Sequence, residues 1–547
     1  MVCPQNPQDA LRAFIEASQE CWSKRPVPAS ASEAKPKVLL VPNGMPQATV
    51  VTGLVARAFL EVDQASSITL LSKSTKHPEI VRAVFGSFGI SRFVRFSRNR
   101  LSKPIVWLKS MLSSWRALKM IREKGFQCFI HDFTVYGVHI GDMIYDSLIR
   151  YDSTYRDPGA DTRKVRSIVT HALWSFHASY ALVEKHDIQV TVVGETVYAR
   201  EDAFTLRIVT ARGGKGLFVN QSFAKFYLTY NSTFSDRFKV TREDLAFVAS
   251  HHPAREELIE QYLVARTAGK LAHPDVKNAY LNKRTWSREE LLAYLTERSV
   301  GKVDLHGKKI CFLMPHCFSD ANHKTRHLCH RDFYQWVQEV LVAISQIKNV
   351  IWVVKPHPSG HHYNEQGQLE ELMQQVTAEH IFMTPPDFNT SSVMACADLA
   401  VTVNGTIGLE ASCYGVPVIL SGEAIYSGFG FTIESPTKAD FLAALNNAAN
   451  TARLEDAQVA TAREVLFCNQ FASRPKSKFI PKGTIRPGAA NEEFTKLYFG
   501  YFADMGQGLS RLSSIDDDPY WSSLKDLISR GTGTIRELQP ITSIEGY

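Results

Sequence analysis

Cysteine is scarce in this chain: nine among 547 residues, with no C-x-x-C pair and no metal-ligand rhythm. That excludes a disulfide scaffold and a cysteine-built metal site, and several of the nine (Cys311, Cys396, Cys413) fall inside apolar runs where a thiol behaves as a small hydrophobe. Long apolar runs are missing as well. No stretch reaches the ~18 uninterrupted residues of a membrane span; the longest candidate, Val393 to Leu420, is broken by Asp398, Asn404 and Glu410 and reads as buried core. Met1-Val2-Cys3-Pro4-Gln5 carries no basic leader ahead of an apolar block, so no secretory signal is expected. Nor does one charge dominate: 62 basic against 55 acidic side chains leave a net +7, scattered rather than gathered in a stripe. That argues against nucleic acid and is compatible with an anionic ligand or an anionic surface. A reduced, cytoplasmic enzyme is expected, with peripheral association at the inner face of the membrane kept open. The one basic concentration, Arg92 to Lys124, interleaves Phe93, Val94, Phe96, Leu101, Ile105, Val106, Trp107 and Leu108. It reads either as a helix with a solvated basic face or as a membrane-surface face.

What is present is an α/β rhythm. At roughly 100–200 residues per domain the length implies two to four units. Residues 1–34 read as a loosely attached leader ending in the low-complexity run Pro26 to Ser32. Residues 35–300 then read as a first Rossmann-like domain, 301–472 as a second and 473–547 as a helical tail. Buried-strand patterns at Lys37–Val41, Ile68–Leu71, Cys128–Ile130, Gln189–Val193 and Gly216–Val219 alternate with helical ones. The pattern restarts with strands at Lys309–Met314, Val350–Val354, Ile381–Met383, Leu399–Val403 and Pro417–Leu420. Strand–helix–strand spacing of this kind predicts parallel sheets, with ligands outside the carboxyl ends of the strands.

Polar, Gly- or Pro-shaped loops follow four strands of the second unit. Lys355-Pro356-His357-Pro358 holds an imidazole and an ammonium just past a strand end, where they suit a phosphate oxygen. Asn404-Gly405-Thr406-Ile407-Gly408-Leu409-Glu410 offers a tight turn, a hydroxyl and the start of a helix, with Glu410 placed for a ribose diol. Gly422 to Thr432, containing Tyr426, suits a loop closing on a ring-shaped ligand. Pro315-His316-Cys317-Phe318-Ser319-Asp320 is the fourth. Convergence of four such loops predicts a nucleotide-sugar pocket.

The same residues carry a resemblance. Pro315-His316 with Asp320, Trp352 to Pro358, Asn404 to Glu410 and Gly415-Val416-Pro417-Val418-Ile419 resemble the C-terminal half of GT-B glycosyltransferases of capsule and surface-polysaccharide assembly, in particular the capsule-type Kdo transferases. In the first half, Gly141-Asp142-Met143-Ile144-Tyr145-Asp146-Ser147-Leu148-Ile149-Arg150 and Glu195-Thr196-Val197-Tyr198 are similar to segments of the same group, with Arg207 and Gly213 further on. The resemblance implies two doubly wound domains facing across a cleft and a nucleotide-sugar donor, a CMP-sugar such as CMP-Kdo favoured. It implies a glycan or glycolipid acceptor and no separate cofactor; no metal is expected, since His357, Lys355 and the helix terminus suit stabilisation of the leaving phosphate. Donor-side residues are then His316, Asp320, Lys355, His357, Asn404, Gly405, Thr406, Glu410 and Tyr426. Transfer also needs a carboxylate from the first domain to take the acceptor's proton: Glu195 first, Asp142 and Asp202 next. The D-D-D run Asp516-Asp517-Asp518 reads as a solvated acidic stretch. Rival readings are a teichoic-acid-type glycerophosphotransferase and a non-catalytic sugar-binding protein.

Overall fold

A computed structural model describes residues 7–25, 35–42, 44–72, 78–96, 103–152, 162–270, 283–299, 303–483 and 491–545. Pro26 to Ser32, Asn43 and residues 97–102 of the basic stretch lie outside the described residues.

Short apolar runs build two six-stranded sheets. The first contains β1 (Lys37–Val41), β2 (Ser67–Ser72) and β3 (Phe93–Arg95). A small hairpin of β4 (Thr134–Val135) and β5 (Val138–His139) precedes its remaining strands, β6 (Val190–Val193), β7 (Lys215–Val219) and β8 (Ala224–Tyr227). Their spatial order is β3-β2-β1-β6-β7-β8, parallel except for β8. The second sheet contains β9 (Ile310–Leu313), β10 (Ile351–Val354), β11 (Ile381–Met383), β12 (Leu399–Thr402), β13 (Val418–Leu420) and β14 (Ile433–Glu434). Its order is β11-β10-β9-β12-β13-β14, and every pairing is parallel. The strands are apolar on both faces because helices cover both. Val38 and Leu40 of β1 face one core while Leu39 and Val41 face another, and Ile310/Phe312 and Cys311/Leu313 of β9 divide in the same way. In each sheet the strand order reverses once, between β1 and β6 and between β9 and β12. Two Rossmann-like units of this design make the GT-B layout.

Four expectations are corrected. Residues 7–23 are no loose leader. They form a helix whose Phe14 and Trp22 are buried, Phe14 against Phe502 and Trp22 against Trp521. Cys128–Ile130 is helical, not extended: Gly125 (φ 78°) kinks the helix Pro104–Asp132, and helix resumes beyond it. A three-residue apolar run has no period of its own to tell the two states apart. The helices between Arg242 and Ser299 pack into the second core through Val248, Ile259, Leu263, Leu291 and Leu295, so they belong with the second unit and not with the first; the expected break at 300/301 itself lies outside the described residues. Finally, the chain returns at its end. Helices Asn491–Ser510 and Pro519–Arg530 bury Phe502, Met505, Trp521 and Leu524 in the first core, and Ile535 N–H bonds Ala224 O at the outer edge of β8. The acidic run here is structural. Asp518 is fully buried and caps the last helix, accepting from Trp521 N–H, while Asp516 pairs with Arg25 and Lys525.

Candidate functional site

In a doubly wound sheet, the loops on either side of the strand-order reversal splay apart and leave a crevice. In the second sheet those loops follow β9 and β12, and they carry His316 and the Asn404-Gly405 turn. The structure brings them together. Asn404 N–H donates to His316 Nε2 at 3.3 Å, and the His316 ring stacks on Phe333 with centroids 4.6 Å apart. Burial, with the charges of Lys324 and His357 nearby, holds the His316 pKa well below its usual value. The ring is therefore neutral at pH 7. Because Nε2 accepts, the proton is assigned to Nδ1, which becomes the ring's donor.

Gly405 permits this approach: a Cβ there would lie 3.0 Å from Thr402 Oγ1 and 3.4 Å from the His316 ring. Thr406, exposed, opens the seven-residue helix Thr406–Ser412. Tyr426 does not offer a ring to a ligand. It is fully buried, and its hydroxyl donates to Gly405 O at 2.5 Å, propping the turn from beneath. Gly408 makes room for it, since a Cβ there would sit 2.1 Å from that hydroxyl. Glu410 is likewise committed elsewhere. Its buried carboxylate pairs with Arg266 at 2.6 Å, which removes it from the expected ribose contact.

Beyond β10, Lys355 and His357 line a cavity of 770 Å³ together with Lys283, Arg298, Phe382 and Phe388. His357 Nδ1 lies 3.0 Å from Cys317 Sγ, so this cavity adjoins the His316 loop at the same end of the sheet. Burial, aided by repulsion from Lys283, pushes the Lys355 ammonium down to about 7.

The first sheet reverses at β1/β6, and Glu195 follows β6. Its Oε1 accepts Thr196 N–H at 2.7 Å and Arg237 Nη1 at 2.8 Å, which fixes the loop and the carboxylate's direction. Three residues on, the Tyr198 hydroxyl meets Asp320 Oδ1 at 3.3 Å and accepts from Ala321 N–H at 3.2 Å. The two reversal points therefore face each other across one crevice. Ala321 takes φ of 44° there, a strained value for a residue with a Cβ.

Asp142 and Asp202 are not presented to it. Asp142 is buried in a two-pronged ion pair with Arg207, both contacts 2.7 Å, and stays ionised below the usual carboxylate range: burial opposes this, but Arg207 and His139 outweigh it. Asp202 is fully buried in the first turn of the helix Glu201–Ala211, with Arg200 Nε 3.6 Å from its Oδ1. Two further pairs join the halves: Asp146 with His323 at 2.7 Å, and Tyr145 with Asp332 at 2.6 Å. The 141–150 segment singled out in the sequence supplies Tyr145 and Asp146, although no spacing pointed to their partners. Among the described residues no cluster of three or more His, Cys, Asp or Glu side chains is set to hold a metal.

A family model described as capsule polysaccharide biosynthesis protein matches residues 174–468, just over half of the chain, including the loop after β6 and the whole second sheet. The chain belongs to the capsule polysaccharide biosynthesis protein family. No curated protein matches it in sequence. Among solved structures it is similar to the β-Kdo 2,4 transferase of Thermosulfurimonas dismutans KpsC at 13% identity, covering 51% of this chain and 79% of that one, TM-score 0.29. The β-Kdo 2,7 transferase of the same KpsC aligns at 18% identity over 44% of this chain and 66% of that one, TM-score 0.21. UDP-GlcNAc 2-epimerase from Neisseria meningitidis, bound to UDP-GlcNAc, aligns at 10% identity over 79% and 99%, TM-score 0.21. Within this capsule-family member, the matched region holds Glu195, His316, Lys355, His357 and the Asn404-Gly405 turn, and it ends before the helices that return to the first sheet.

Proposed function

We propose that this protein is a glycosyltransferase that moves a sugar from a nucleotide-activated donor to a glycan or glycolipid acceptor of a surface polysaccharide. A CMP-sugar, CMP-Kdo first among them, is the favoured donor. The observation that carries the reading is the opposition of the two reversal points. A neutral His316 with an Nδ1 donor stands on one wall, and a carboxylate oriented by Arg237 stands on the other. His316 donates to a phosphate oxygen of the leaving nucleotide, and the cavity beyond His357 supplies Lys355, which takes up a proton when an anion arrives. Glu195, through the oxygen that does not accept Thr196 N–H, removes the proton of the acceptor hydroxyl. The bond from the anomeric carbon to the nucleotide phosphate breaks, the bond to the acceptor oxygen forms, and the nucleotide leaves with the electron pair.

A cytoplasmic location belongs to the same proposal, because the protein has to meet its nucleotide-activated donor. The deciding experiment is a thermal-shift series with CMP, UDP, GDP and CDP. A nucleotide that binds only the folded form raises the melting temperature as RT ln(1 + [L]/Kd). Stabilisation by CMP above the others is the expected result. Stabilisation by none of them overturns the donor assignment.

A further inference from the structure

The helix Pro104–Asp132 is turned inside out. Its buried positions ahead of the Gly125 kink are Ser110, Ser113, Ser114 and Ala117, all small. Ser113 Oγ meets His177 Nε2 at 2.8 Å, so this small-residue stripe seats the helix closely on the helix Thr162–His186. The opposite face carries the large apolar side chains: Ile105 is 70% exposed, Leu108 54%, Leu112 59% and Trp115 61%, with Met111 and Trp107 beside them. Six of the fourteen exposed large hydrophobic side chains among the described residues fall within 105–115, so this is a patch and not scatter. Core packing would demand the reverse arrangement.

The same segment is basic. Lys109, Arg116, Lys119, Arg122 and Lys124 are exposed, against the single exposed acid Glu123. Lys109, Arg116 and Lys119 border the apolar face at helical spacing, and the Lys109 ammonium also lies over the ring of half-exposed Tyr136 at 5.6 Å.

We propose that residues 104–124 form a membrane-docking helix that lies in the headgroup region of an anionic bilayer. Its Trp, Leu and Ile side chains enter the acyl boundary while the flanking Lys and Arg bind lipid phosphates. Charge complementarity selects this occupant. A second copy of the chain would set the same cations against each other, whereas an anionic leaflet meets each of them. Tryptophan suits the same depth, with an apolar body and one N–H to satisfy. Among the described residues no helix is long and apolar enough to cross a membrane, so this contact lies on the surface. The proposal is independent of the donor chemistry. It holds the first unit at the bilayer surface.

The test is flotation of the full chain with vesicles of phosphatidylcholine alone and of phosphatidylcholine mixed with phosphatidylglycerol, at low and high salt. Binding to the mixed vesicles, weakened by salt, is expected. Leu108→Ser, Leu112→Ser and Trp115→Ser combined should abolish flotation and lower the melting temperature only slightly, because these side chains are more than half exposed and the change costs chiefly helix propensity. Arg116→Gln and Lys119→Gln should each weaken binding about fivefold. Equal binding to both vesicle types, or none to either, overturns the proposal. So does a dimer in solution that the triple substitution dissociates.

Discussion

The two reversal points share one design and differ in what their polar groups do. In the first unit, charged side chains near the crevice are satisfied within the protein: Asp142 by Arg207, and Glu195 in part by Arg237. In the second, His316 is neutral and lies beside a basic cavity in which the Lys355 ammonium makes no hydrogen bond or ion pair among the described residues. A buried cation without a counter-ion is costly to keep. Under the proposed function the contrast divides the labour: the first wall is preorganised and aims one carboxylate, while the second is left incomplete until an anion arrives.

Four substitutions break or sharpen that contrast. Glu195→Gln keeps the loop's shape and removes the base; transfer should fall by about 10²–10⁴-fold while nucleotide affinity stays as it was. Transfer at the wild-type rate would show that the first wall aims nothing. His316→Ala should lower turnover about 10²-fold and also weaken nucleotide binding, since it removes a preorganised donor to the leaving group; steady-state kinetics beside calorimetry separates the two.

Lys355 gives the pH signature. Its folded pKa of about 7 lies below the unfolded value near ~10, so between those values the unfolded chain holds a proton that the folded one lacks. The free protein therefore gains stability as pH rises from about 7 to about 10. Nucleotide affinity runs the opposite way, falling up to about tenfold per pH unit above about 7. Lys355→Met should flatten both profiles, and slopes unchanged in that variant would clear the lysine of any role. The smallest effect belongs to Tyr426→Phe. Loss of its bond to the Gly405 carbonyl should cost about 1 kcal/mol of stability, read by denaturant titration, with a modest loss in nucleotide affinity.

The strands of both sheets that follow strong apolar runs were legible, and so were the loops after β6, β9, β10 and β12, because a buried parallel strand and a glycine or proline turn are both local signals. What escaped was long-range. Nothing within Gly141–Arg150 distinguishes Asp142, committed to Arg207 sixty-five positions away, from an available carboxylate. Helix position for Glu410 and loop position for Tyr426 point toward a ligand in the sequence, but Arg266 and the Gly405 carbonyl claim them. Short β3, β8 and β14 carry too few apolar residues for their pattern to register, and the opening helix reads as a leader because its partner, Asn491–Ser510, lies at the far end of the chain.

That pairing of the two ends has a mechanical consequence. With the first and last helices locked into one body, the second unit is joined to it by three crossings of the chain instead of one: near Val240, near Ser473, and near Glu537, beyond which Ile541 enters the second core. Glu537 N–H donates to Ala472 O and Arg536 pairs with Asp244, so the three crossings run side by side. Opening and shutting of the gap between Glu195 and His316 should thus be a rotation about that shared seam, and severing one crossing should loosen it.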